Sequence, residues 1–110
     1  RKLFLLRQTS EREYEHLRRT GAMEVRAAYA EVRRFGSSLK YARQYLKLAS
    51  KQHNQAEIRH KRGDITELEL LESSYRFMEA RMRALAARVD YLLAEQSLAM
   101  ASGKRIVDGL

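Results

Sequence analysis

From Val25 to His60 apolar and small residues recur at alternating steps of three and four: Val25, Ala28, Val32, Phe35, Leu39, Ala42, Leu46, Ala49, His53, Ala56 and His60. That spacing is the seam of a coiled-coil helix, held for five heptads and wetter towards its end. A second, more aliphatic run follows: Leu68, Leu71, Tyr75, Met78, Met82, Leu85, Val89 and Leu92, then Gln96, Ala99 and Gly103. Between the two lies Arg62-Gly63-Asp64-Ile65-Thr66. The pattern predicts an all-α fold, a long antiparallel helical hairpin. Its first helix covers about residues 2–62, its turn 62–66 and its second helix about 66–102, with a short tail at 103–110.

The punctuation agrees with that division. His60, Lys61 and Arg62 put positive charge at the end of the first helix, where unpaired carbonyls favour it. Gly63 suits the left-handed position just beyond. Thr66 followed by Glu69 fits a capping box, with Glu67 and Glu69 acidic in the first turn of the returning helix. Towards the N-terminus Leu3, Leu6, Tyr14 and Leu17 continue an apolar stripe, interrupted near Thr20-Gly21. Gly21 and Gly36 are the positions where the first helix is expected to kink or to meet a neighbour closely.

The second helix carries a further heptad series, two residues out of phase: Leu70, Ser73, Phe77, Ala80, Ala84, Ala87, Tyr91, Ala94, Leu98 and Ala101. An offset of two positions sets this stripe roughly 150° from the first. One face is therefore large and aliphatic, the other small and alanine-rich. Met23, Ala27, Ala30, Ser37, Tyr41, Leu48 and Ile58 form a weaker counterpart on the first helix. A lone hairpin buries one of the two stripes, and the other needs a further helix, which an alanine-rich seam would let approach closely. The expected surroundings are a helical bundle or a closed ring of helices (an α-barrel).

Composition sharpens this picture. The 110 residues contain no proline, where average usage would give roughly five, so long uninterrupted helices are favoured. There is no cysteine, which excludes disulfides and thiolate metal sites. The longest apolar run, Leu3-Phe4-Leu5-Leu6, is far too short to span a bilayer as a helix. Residues 1–62 hold sixteen Lys and Arg against six Asp and Glu, whereas residues 63–103 hold four against seven. A basic helix beside an acidic one favours the hairpin pairing, though exposed pairs contribute only a few tenths of a kcal/mol each.

Candidate chemistry is sparse. No Ser/His/Asp group, phosphate loop or pair of acid–base carboxylates stands out, so no enzyme, cofactor or metal site is expected. His53 and His60 are seven apart on one stripe, which does not make a tetrahedral metal site. Arg62-Gly63-Asp64 spells a cell-adhesion tripeptide, which helix-turn chemistry explains better. The net charge of +8 raises nucleic-acid binding, but Arg and Lys read as scattered around the first helix with no compact patch.

The run from Ala56 through Arg59, Gly63, Asp64, Ile65 and Thr66 to Leu70, with Asp90-Tyr91, Ala94, Leu98 and Gly103 beyond it, resembles the helical repeat of TolC-like outer membrane efflux proteins. His60 stands where that repeat usually has an aromatic, Glu69 replaces an aspartate and Ser73 an alanine. The resemblance covers roughly residues 20–103. It implies one repeat's hairpin from a longer protein, and in particular a segment of a periplasmic α-helical tunnel built by three chains. The tunnel would be a passive conduit for efflux or secretion in the Gram-negative cell envelope. Arg59, Arg62, Gly63, Asp64, Ile65 and Thr66 would lie at the rim where a periplasmic adaptor (membrane fusion) protein docks, coupled to an inner-membrane transporter. The alternatives are the coiled-coil hairpin spacer of such an adaptor, and a basic helical scaffold or nucleic-acid-binding protein. On the channel reading no nucleic acid is expected.

Overall fold

A computed structural model describes the backbone of residues 2–108 and the side chains of residues 5–103. Two α-helices, α1 (Lys2–Lys61) and α2 (Glu67–Asp108), are joined by one short turn. The fold is all-α and a helical hairpin, as the spacing predicts. α1 passes through Gly21 and Gly36 without a break. With no proline nearby, each interior glycine costs about 1 kcal/mol, too little to end so long a helix. The expected tail is also corrected, because α2 continues through Gly103 as far as Asp108.

The chain divides into a turn-side unit, Arg34–Leu92, and a second unit formed by the residues before and after it. In the turn-side unit α1 lays Phe35, Leu39, Ala42, Leu46, Ala49, His53, Ala56 and His60 inward, all buried or half-buried. From α2 the inward set is Leu70, Ser73, Phe77, Ala80, Ala84, Ala87 and Tyr91. Ala80 is wholly covered, and Leu39 and Ala49 nearly so.

This reverses one expectation. The alanine-rich stripe of α2 faces α1, and the large aliphatic stripe faces away. The physical reason lies in side-chain volume. The α1 seam brings bulky Phe35, Leu39 and Leu46, and close packing is reached when large residues on one helix meet small ones on the other. Gly36 shows the same fit, since a Cβ placed there would lie 3.3 Å from Cε2 of Tyr91. Gly21 and Gly103 have nothing within 4 Å of such a Cβ.

In the other unit Val25, Ala28 and Val32 are half-buried, Ala94 is buried, and Leu98 and Ala101 are half-buried. The inward series of both helices thus keep their register there. From Leu5 to Thr20 every residue of α1 is exposed.

Candidate functional site

The hairpin tip is built by backbone hydrogen bonds that its sequence anticipates. Gly63 has φ = 78°, the only positive φ among the described residues. Its N–H donates to the His60 carbonyl at 3.0 Å, and the Asp64 N–H donates to the Arg59 carbonyl at 2.9 Å. This paired arrangement is the Schellman motif, which satisfies carbonyls that the end of α1 would otherwise leave bare. Only glycine takes that left-handed position without a Cβ penalty.

Two residues later Thr66 caps the start of α2. Its Oγ1 accepts the Glu69 N–H at 3.2 Å, and its carbonyl accepts the Leu70 N–H at 3.1 Å. Ile65 and Leu70, the residues flanking this cap at the positions of a hydrophobic staple, are both half-buried. Arg59, His60 and Lys61 occupy the last turn of α1, and Glu67 and Glu69 the first turn of α2. Each charge sits at the helix end whose dipole favours it.

All six residues singled out for the tip lie within this turn or the helical turn before it. Arg59, Arg62, Gly63, Asp64 and Thr66 are exposed, and Ile65 is half-buried. Arg59 and Ile65 also line an open cavity of about 330 Å³ with Ala56, Glu69, Ser73 and Arg76. Its two arginines and its carboxylates give it a mixed charge.

Behind the tip His53 stacks on Phe77, with ring centroids 5.4 Å apart and planes 9° apart. Its Nε2 lies 3.0 Å from Oε1 of Glu57, while its Nδ1 is buried with no hydrogen-bond partner. The histidine is therefore a seam residue held from one side. His60 is half-buried further along the same seam. No group of three or more His, Cys, Asp or Glu that would hold a metal ion occurs among the described residues.

Away from the tip the molecule offers a second surface. The back of α2 exposes Leu68, Leu71, Tyr75, Met78, Met82 and Leu85 by 60–70% each, followed by Val89 and Leu92 at about half. This row runs the length of α2 within the turn-side unit and carries no charge. A contiguous apolar row of that kind marks an interaction surface, and its heptad spacing suits a further helix.

Residues 7–104 match the family of outer membrane efflux proteins. The chain belongs to that family. Comparison with curated proteins and with solved structures finds no match. The TolC-like resemblance read from the spaced residues around Gly63 is thus borne out, over nearly the whole chain. Members of the outer membrane efflux protein family are channel components. Among the described residues no helix is long and apolar enough to cross a membrane.

Proposed function

We propose that this hairpin is a wall segment of the periplasmic α-helical tunnel of an outer membrane efflux channel. The observation that carries the reading is the uncovered aliphatic row of α2 from Leu68 to Leu92. It lies roughly 150° around the helix from the buried row, so α2 has helix-packing faces on nearly opposite sides. A helix in a compact four-helix bundle has neighbours at roughly right angles, whereas a helix in a wide ring has them almost opposite. Three chains pooling such hairpins would cover each row with the next helix. The enclosed path is then a passive conduit, and no residue acts chemically on what passes.

The tip is the docking element for a periplasmic adaptor protein, which links the channel to an inner-membrane transporter. Supporting this is its construction: exposed Arg62 and Asp64 stand on a backbone fixed by the Gly63 and Thr66 hydrogen bonds. A docking surface needs that kind of rigid presentation. The test is capture of the adaptor by the full-length channel, alongside export. Gly63→Val forces a β-branched residue to positive φ and should weaken both. Arg62→Glu leaves the backbone alone, reverses an exposed charge and should also lower capture. Full capture and export in both variants would remove the docking role from the tip.

A further inference from the structure

The sequence reads the cations of the first helix as scattered, but the folded turn-side unit gathers several of them with one from α2. Two adjoining cavities lie along the same side of the hairpin. The first, of about 370 Å³, is lined by Leu39, Lys40, Arg43 and Tyr91 among others. The second, of about 350 Å³, is lined by Arg43, Leu46, Lys47, Phe77 and Arg81 together with Ser50. Arg43 belongs to both, so they form one interrupted groove.

Its floor is apolar: Leu39 is buried, and Leu46, Phe77 and Tyr91 are half-buried. Its rim is the four exposed cations Lys40, Arg43, Lys47 and Arg81, and neither lining contains a carboxylate. None of the four has an ion-pair partner among the described residues. By contrast Arg83, also on α2, pairs with Glu79 at 2.8 Å. The tip cavity likewise holds both signs of charge. Lys40, Arg43 and Lys47 stand three and four residues apart on one helix, a like-charge spacing that destabilises an isolated helix. The arrangement is thus unfavourable by itself and favourable with an anion over it.

The geometry points to a binding site for a small anionic amphiphile, a molecule with a carboxylate or sulfonate at one end and an apolar body at the other. The anion would sit at Arg43, where the two cavities meet, and hydrogen bonds to a guanidinium are among the stronger ones available to it. The body would lie along Leu46 and the edge of the Phe77 ring, on which His53 is stacked and over which the Arg81 guanidinium stands 5.7 Å from the centroid. A nucleic-acid backbone fits less well, because the apolar floor between the cations would be covered by charged phosphates. The site stands on the turn-side unit alone and does not depend on the tunnel reading.

The test is a backbone amide NMR titration of this chain with decanoate below its micelle concentration. Decyltrimethylammonium and decanol serve as probes of the same length. The expected result is saturable shifts around Lys40, Arg43, Lys47, Phe77 and Arg81 with decanoate and not with the other two. Arg43→Gln should weaken decanoate about tenfold, Arg43→Lys should restore most of the binding, and Arg76→Gln at the tip should leave it unchanged. Both residues are exposed, and circular dichroism checks that helicity is retained. Three results would each overturn the proposal: equal shifts with the cationic or neutral probe, shifts centred on the Leu68–Leu92 row, or full affinity in Arg43→Gln. Displacement of decanoate by a mixed-sequence RNA oligonucleotide that binds more tightly would do the same and favour a polyanion site.

Discussion

The tip and the N-terminal stretch of α1 are held in opposite ways. At the tip, between Ala56 and Leu70, the chain satisfies its own helix ends through Gly63 and Thr66 and half-buries Ala56, His60, Ile65 and Leu70 against itself. From Leu5 to Thr20 nothing is buried, and Leu5, Leu6, Tyr14 and Leu17 are 57–67% exposed. What that stretch does have is local: an Arg7–Glu11 pair at 3.7 Å and back-bonds from the Thr9 and Thr20 hydroxyls to the carbonyls of Leu5 and His16. Such pairs contribute only a few tenths of a kcal/mol, and helical stability in proteins comes mostly from packing. The first region satisfies and half-buries itself, whereas the second leaves its apolar side chains exposed. The aliphatic back of α2 is exposed in the same way, despite the well-packed inner face of that helix.

The contrast can be broken most strongly at the inner seam. Ala80 is fully covered, so Ala80→Leu overpacks the line where α1 and α2 meet and should cost about 2–3 kcal/mol in thermal or denaturant unfolding. Leu17→Ala, by comparison, should stay within about 0.5 kcal/mol, because the side chain is two-thirds exposed. Equal effects at the two sites would erase the distinction between the packed seam and the exposed stretch.

A smaller change sharpens the account of the tip. Thr66→Ala removes the side-chain acceptor of the Glu69 N–H and should cost about 1 kcal/mol, recovered in large part by Thr66→Ser. An unchanged melting curve for Thr66→Ala would mean the cap adds nothing to the turn.

The smallest effects separate two glycines that look alike in sequence. Gly21→Ala meets no atom within 4 Å and should stabilise the helix by about 0.5–1 kcal/mol. At Gly36 the same methyl group meets the Tyr91 ring at 3.3 Å, so the gain should be cancelled or reversed. Equal stabilisation by both, measured in denaturant melts, would show that the Gly36–Tyr91 contact is loose.

Much of this was legible before folding. The turn at Gly63, the cap at Thr66 and both heptad series of the second helix follow from residue type and spacing. Which series would face the partner helix within the chain was not, because both satisfy the same periodicity. The missing signal was volume, since bulky Phe35, Leu39 and Leu46 on the first helix call for the alanine row opposite. The cationic groove was hidden for a related reason. Lys40, Arg43 and Lys47 look dispersed along one helix, and only the antiparallel pairing brings Arg81 and the Phe77 ring beside them. Gly103 does not mark the end of α2, because a single glycine costs a helix only about 1 kcal/mol and cannot by itself terminate it.

The central claim is that the aliphatic back of α2 exists to be covered by a further helix. Light scattering over a range of concentrations, on this chain and on Met78→Glu/Met82→Glu, tests it most directly. The account predicts assemblies of three or more chains for the unaltered sequence and a helical monomer for the double variant. A monomer of unchanged helicity at every concentration in both cases would contradict it.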